Sequence, residues 1–294
     1  MTQTIRIASK EDTPQITHLL QHSVYSHWHV DWRLPGDWIG QKGFVLLSRN
    51  GKETMDSFRF HNPAAELLGC LVVTADPPPA AWVRVAGLLD VVRPFPALGA
   101  MMDEAVGNLQ GSAVTEINWL ATHSWPVSYL PMMGFEIANH IETYRKDGMA
   151  APPIAPVSGL TFRAARAADM PLLAEIEEEG FAPRWRYSAG ALRLAQQQAF
   201  SFDVALLGEE VVGYQLSTPT QAGVHLVRLV VRPSGHGRGI GSALLAHTLD
   251  GYQARGLNQV TLNTQIDNMP SQIVYQKFGF AATGEKFPVW TKQL

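Results

Sequence analysis

Cysteine is nearly absent. Cys70 is the single one in 294 residues, which excludes an intrachain disulfide and any zinc site built on several cysteines. Long apolar runs are missing as well. The longest, such as Leu67–Val73, have the length of a strand and fall far short of the ~20 residues of a membrane span. The polar start Met1-Thr-Gln-Thr4 has neither the charge nor the apolar stretch of a secretory signal. Nor does one sign of charge dominate: 23 Lys and Arg stand against 26 Asp and Glu, a net charge of -3, so no basic surface calls for nucleic acid or an acidic membrane. What remains is an ordinary globular composition, 46% apolar and 17% charged, long enough for two domains, with the cytoplasm as the expected compartment.

Glycine is concentrated in one place. In Val230-Val-Arg-Pro-Ser-Gly-His-Gly-Arg-Gly-Ile-Gly-Ser-Ala-Leu-Leu245 a β-branched run breaks at Pro233, passes Gly235, Gly237, Gly239 and Gly241, and resumes as a helical pattern at Ile240, Leu244 and Leu245. Strand, glycine turn and helix N-terminus make an anion cradle, because backbone N–H groups can converge there and the positive end of the helix dipole adds to them. A phosphate-binding Walker loop would require Gly-Lys-Ser/Thr, which does not follow. The dinucleotide fingerprint G-x-G-x-x-G fails because Ser242 and Ile240 stand where its third glycine belongs. The segment does resemble the acyl-CoA loop of the GCN5-related N-acetyltransferases (GNAT), Gln/Arg-x-x-Gly-x-Gly/Ala, through His236-Gly-Arg-Gly239-Ile-Gly241, with His236 in place of the usual Gln or Arg.

A second motif follows. Asn268-Met-Pro-Ser-Gln-Ile-Val-Tyr275-Gln-Lys-Phe-Gly279-Phe280 reads as a helix capped by Asn268, with Pro270 in its first turn and Gly279 as its stop. Asn268 and Tyr275 lie two turns apart and so share a face. This is similar to the GNAT segment Asn-x-x-Ala-x-x-x-Tyr-x-x-x-Gly-Phe, with Ser271 for Ala. The resemblance implies an acetyl-CoA site formed by Leu229, Val230 and Val231 on the strand, by His236, Gly237, Arg238, Gly239, Ile240, Gly241 and Ser242 in the turn and first helical turn, and by Asn263, Asn268, Ser271 and Tyr275 downstream. It further implies that an amine attacks the thioester directly, that a strand N–H, expected at Val230, steadies the oxyanion, and that Tyr275 protonates the leaving thiolate. His225 is the candidate base from its ordinary pKa range.

The chain also repeats itself. Arg6, Asp12 and Pro14 recur as Arg163, Asp169 and Pro171, each 157 positions on. Leu68-Gly69-Cys70-Leu71 pairs with Val212-Gly213-Tyr214-Gln215, Leu89-Asp-Val-Val-Arg-Pro94 with Arg228-Leu-Val-Val-Arg-Pro233, and Met133-Gly-Phe135 with Phe278-Gly-Phe280. Each half is expected to run strand, helices, three strands, helix, strand, helix, strand, an α/β order with a mixed sheet. Joined with the resemblance, that order implies two tandem GNAT domains: a degenerate one over 1–146, a Pro- and Ala-rich linker over 147–159, and a catalytic one over 160–294. The first half has one glycine after Arg93-Pro94, and His123 and Leu130 stand where Asn268 and Tyr275 belong. It is therefore expected to shape the cleft, pack, or pair subunits into a homodimer rather than bind acyl-CoA.

The expected acceptor is a small-molecule amine, with an acyl-CoA sensor or a protein N-terminal or lysine acetyltransferase as alternatives. Phe181-Ala-Pro-Arg-Trp-Arg-Tyr187 falls where the family builds its acceptor pocket. The acidic run Glu175, Glu177, Glu178 and Glu179 reads as a solvated face. No metal is expected, since His22, His27, His29 and Asp31 match no ligand spacing. Cys70, in an apolar strand, reads as a buried thiol.

Overall fold

A computed structural model of the chain describes residues 3–29, 32–49 and 66–294. It divides into two compact units. The first comprises Met1–Ala138 with Val289–Leu294, and the second Asn139–Pro288.

In the first unit β1 (Gln3–Ile7), α1 (Thr13–His22), β2 (Tyr25–Trp28), β3 (Phe44–Arg49), β4 (Glu66–Ala75), β5 (Ala80–Leu88), α2 (Pro94–Leu109) and β6 (Glu116–Leu120) follow in order. β4 and β5 are buried along nearly their whole length, which is why they read as largely apolar runs, broken in β5 by Arg84, rather than alternating ones. α2 lays Leu98, Met101, Met102, Ala105 and Leu109 on this sheet at helical spacing. The main core gathers around Trp119 and Phe135.

β7 (Glu136–Asp147) lies almost wholly in the second unit. There β8 (Leu160–Ala164), α3 (Met170–Gly180), α4 (Ala189–Gln198), β9 (Ser201–Leu207), β10 (Glu210–Thr220), β11 (Gly223–Val231), α5 (Ile240–Ala254), β12 (Gln259–Gln265), α6 (Met269–Lys277) and β13 (Ala281–Gln293) follow. The expected order of strands and helices holds for this half. β13 is divided between the units: its first residues lie beside β7 in the second sheet, while Val289–Gln293 pair antiparallel with β6 in the first. β7 in turn pairs antiparallel with β12, Ile141 to Asp147 against Gln265 to Gln259.

The boundaries therefore differ from 1–146 and 160–294. Residues 139–146 complete the second sheet and 289–294 the first, an exchange of terminal strands that leaves no mark on local composition. The segment 147–159 is not an open linker either. Met149 is buried and Ala151 and Ile154 pack with it on one apolar face, while Val157 packs on another.

Two repeats hold with a physical reason. Arg6 meets Asp12 through Nη1 at 2.7 Å, and Arg163 meets Asp169 at 2.7 Å, in both cases with the carboxylate also accepting a backbone N–H three residues earlier, from Ser9 and Arg166. These carboxylates reach back and close a turn rather than forward over the following helix, where no side-chain cap bond forms. Gly69 and Gly213 recur because a Cβ would lie 2.6 Å from a Leu88 methyl and 2.5 Å from the Val230 carbonyl oxygen, respectively.

The third repeat, Leu89–Pro94 with Arg228–Pro233, does not hold in strand register. Gly69 pairs with Leu88, as Gly213 pairs with Val231, so the counterpart of the Leu229–Val231 strand end is Ala86–Leu88. Val91 and Val92 lie beyond the strand, and Pro94 opens α2. The apparent Val-Val-Arg-Pro match aligns a helix start with a strand end. The second helix and the last helix expected of the first half are also missing among its described residues: β2 and the short 3-10 turns Pro35–Trp38 and Pro131–Met133 stand in those stretches.

The Asp12 side chain is 8% exposed, and its hydrogen bonds from Arg6 hold its pKa down to about 2. A depressed carboxyl pKa stabilises the fold above the unfolded value near 3.9, and the contribution is lost as pH falls from about 4 to about 2. Since Arg6 is 44% exposed, solvent screens part of it, and D12N is expected to cost about 1–2 kcal/mol at pH 7 and only a small part of that at pH 2. Denaturant unfolding of both proteins at the two pH values checks this.

Candidate active site

The site grows out of a failure of pairing. β11 and β12 run parallel but pair only at Val224, His225 and Leu226 against Val260, Thr261 and Leu262. At that point β11 carries a bulge: Leu216 faces Arg228 and Ser217 faces Leu226, leaving Val227 unmatched. A bulge bends its strand, and beyond it the two strands part. The gap becomes a cavity of about 790 Å³ in the second unit. Leu229, Val230 and Val231 form one wall, Gln265, Asp267, Asn268, Ser271 and Tyr275 the other, and Phe181, Ala182 and Trp185 a third.

Alternation along β11 decides which backbone groups face the cavity. The N–H of Arg232 donates to Val212, and in an antiparallel ladder every second residue bonds the same neighbour. The N–H of Val230, paired with Tyr214, thus belongs to the β10 ladder, and those of Leu229 and Val231 point the other way, into the gap. The Val230 N–H expected to steady the oxyanion is thus spent on β10, and the N–H groups left facing the cavity are those of Leu229 and Val231.

At one end of the cavity the chain turns through Gly237 (φ 74°) and Gly239 (φ 80°), left-handed conformations that favour glycine. Gly239 is the N-cap of α5, whose first turn holds no acidic residue. His236, Gly237, Gly239, Ile240, Gly241 and Ser242 line the cavity here, so the unbonded N–H groups of a fifteen-residue helix open onto it. The His236 Nε2 lies 2.9 Å from the Val231 carbonyl oxygen. Because that oxygen can only accept, the nitrogen carries the hydrogen and ties the turn to the strand end.

α6 is capped as its sequence predicts, the Asn268 side chain accepting from the Ser271 N–H, with Gly279 left-handed (φ 82°) just past its end. Tyr275 is 7% exposed, and burial pushes its phenol up to about 12, opposed by the nearby Arg228 charge.

Of the residues expected to hold acetyl-CoA, Arg238 and Asn263 do not line the cavity. Both side chains are exposed, Arg238 on the outside of the turn and Asn263 on β12 opposite Thr143. His225 is not brought to the cavity either. It sits before the bulge, where the strands are still joined, its Nδ1 2.8 Å from the Thr261 hydroxyl, and burial lowers its pKa to about 4. So weak a base, turned toward a neighbouring strand, is set aside.

The acidic run also reads differently in three dimensions. Glu177 is fully buried, ion-paired at 3.0 Å with Arg228 and accepting from the Tyr214 hydroxyl at 2.6 Å and the Tyr187 N–H at 2.9 Å. Its position was legible: Met170, Leu173 and Glu177 fall on one helical face at i, i+3 and i+7. Arg186 is spent on the backbone carbonyls of Phe181 and Glu178, so it is not free to meet an anionic acceptor. Cys70 is buried and its thiol pushed up to about 12, which fits an inert thiol. Of the histidines near the start, His27 places Nε2 against the Val83 carbonyl and His29 stacks on Trp82; Asp31 lies outside the described residues.

Parted parallel strands, a left-handed glycine turn and an open helix N-terminus define an acyl-CoA-type transferase site on a mixed α/β sheet. The model of the acetyltransferase (GNAT) family matches residues 169–280. An N-acetyltransferase of Methanocaldococcus jannaschii is 30% identical over 114 residues, 38% of this chain and 72% of that protein. The chain belongs to the GNAT family and is an acyl-CoA-dependent acetyltransferase. Similar solved structures show its fold from end to end. A tandem GNAT protein from the clavulanic acid biosynthesis pathway matches over 99% of this chain and 98% of its own, with TM-score 0.62 and 14% identity. A GCN5-related N-acetyltransferase from Sphaerobacter thermophilus matches over 99% and 95%, with TM-score 0.58 and 17% identity. The fold is thus two GNAT domains in tandem. Among the described residues no helix is long and apolar enough to cross a membrane.

Proposed function

We propose that the second unit transfers the acetyl group of acetyl-CoA to the amine of a small molecule, by direct attack with both substrates bound. The observation that carries this reading is the cavity itself, which joins the N-terminus of α5, the parted edge of β11 and Tyr275 in one continuous space. The turn from His236 to Ser242 suits the pyrophosphate of the donor. Leu229 and Val231, with Asn268 on the facing wall, suit its extended amide-bearing arm. Acetyl-CoA supplies an activated acyl thioester. The chain's own part is to hold it, to steady the oxyanion by a β11 N–H and to keep a protonated phenol near the sulfur.

An alkyl amine must lose a proton first, which costs about 4–5 kcal/mol near neutral pH. With His225 set aside, we assign that proton to water in the open cavity. The test is acetyl-CoA consumption with a panel of primary amines, read as release of free thiol. Tight binding of acetyl-CoA without turnover of any acceptor favours a sensor instead. Turnover confined to peptide N-termini or lysines favours a protein acceptor.

A further inference from the structure

Arg228 is held by an ion pair, a hydrogen bond and two aromatic rings, yet it is not among the residues that line the cavity. Its side chain is 10% exposed and its partner Glu177 is fully buried. The guanidinium lies between two rings, 4.2 Å from the centre of Phe181 and 4.1 Å from that of Tyr187, a geometry that favours a cation. Its Nη2 also donates to the Trp185 carbonyl at 2.7 Å.

Apart from the ion pair with Glu177 on α3, each of these contacts falls on the segment 181–187. Glu177 fixes its end through the Tyr187 N–H, Arg228 fixes its middle through Trp185, and Arg186 closes it on itself through the Phe181 carbonyl. The segment has little regular structure of its own beyond the short turn Pro183–Trp185. A buried charge pair is costly unless each charge is held by further hydrogen bonds. Here those bonds go to the backbone and to Tyr214, so the pair sets geometry and contributes little net stability. What it sets is the wall made by Phe181, Ala182 and Trp185, two aromatic rings and a methyl group with no carboxylate among them.

We propose that Glu177 and Arg228 are positioning residues that hold this segment as an apolar acceptor wall, so that the enzyme selects primary amines with an aromatic or apolar body. This rests on the acetyl-transfer reading of the same cavity. Neither residue touches the acetyl donor, whose proposed contacts lie on β11 beyond Arg228, in the glycine turn and on α6.

The test uses the full chain, with 2-phenylethylamine against spermidine and glucosamine as acceptors. The wild type is expected to favour 2-phenylethylamine at least about tenfold in kcat/KM. E177Q is expected to raise KM for that amine about tenfold or more while the Kd of acetyl-CoA, measured by calorimetry, stays within about threefold. R228K, which keeps the charge, should recover part of the loss that R228M shows. F181A removes the wall without stranding a buried charge and should reproduce the acceptor defect even if E177Q folds poorly. An unchanged amine KM in E177Q and F181A, or an equal loss of acetyl-CoA binding in both, overturns the positioning role. A wild-type preference for spermidine or glucosamine overturns the specificity. Calorimetry of the amines with the CoA-loaded protein separates the two levels: binding of acetyl-CoA but of no amine overturns the acceptor reading itself, and with it this one.

Discussion

Replacing Tyr275 by phenylalanine is expected to lower kcat about a hundredfold and to leave KM for acetyl-CoA within about twofold. The phenol is buried on the cavity wall, and its pKa of about 12 keeps it protonated throughout the neutral range. The leaving thiolate has a conjugate acid near 8.5, so full proton transfer from Tyr275 to a free thiolate runs uphill by about 3.5 pKa units, or roughly 5 kcal/mol. Tyr275 is therefore expected to work by a hydrogen bond that strengthens as the C–S bond breaks, with the proton following from water. Phenylalanine keeps the ring and its packing on Phe280, 5.7 Å between centroids, and deletes only that bond.

The same value fixes a pH profile. With a donor that stays protonated below about 12, kcat/KM for the amine should rise toward the amine's own pKa near 10.4 and show no falling limb before pH 10. Steady-state rates across pH 6–10 check both statements. Full turnover in Y275F removes the phenol from the reaction, and a falling limb near pH 8 points to another acid.

The glycine turn and the capped helix were more legible than the strand pairings around them, for a physical reason. The glycine turn and the Asn268–Tyr275 helix are local: each is written in one short stretch by residues whose conformational demands are unusual, such as Gly239 at φ 80° and Asn268 as a cap. What could not be read depends on partners far away in sequence. That Val230 spends its N–H on β10 follows from strand register, which a run of Val and Leu leaves undetermined. The exchange of β7 and the end of β13 between units depends on pairings such as Ile117 with Lys292, and apolar alternation names no partner. His225 looked like a base because its residue type allows it; only the position of the bulge shows that it stands where the strands are still closed. Glu177 misled because four carboxylates in five residues look solvated, although the helical period had already placed one of them inside.

A single substitution, G241D, is expected to abolish acetyl-CoA binding by the whole chain, although the chain carries two copies of the fold. The wild type should bind one molecule per chain. In the second unit the parted edge of β11 is open, and α5 presents its first N–H groups to the cavity. The first unit has the same bulge, at Arg84, between the pairs Val72–Val85 and Val73–Val83, so its sheet is built to part in the same way. There, however, β2 lies antiparallel along β5, Tyr25 to Trp28 against Leu88 to Val85, and the Val24 N–H donates to the Leu88 carbonyl. Ala86 and Leu88 are the counterparts of Leu229 and Val231, and the chain's own strand occupies their free edge. β2 is held from its other side by the Trp125 indole N–H, bonded to the Ser26 carbonyl at 2.8 Å. The helix that follows has lost two of its first N–H donors as well, since Pro94 and Pro96 stand in the first turn of α2 and proline carries no N–H. In G241D the added carboxylate enters the first turn of α5. A negative charge there favours the helix itself, so the fold should persist while the pyrophosphate is repelled. A loss of affinity of at least about a hundredfold corresponds to roughly 2.7 kcal/mol. Calorimetry with acetyl-CoA gives both numbers, and either two molecules per wild-type chain or tight residual binding in G241D would show that β2 does not close the first cleft.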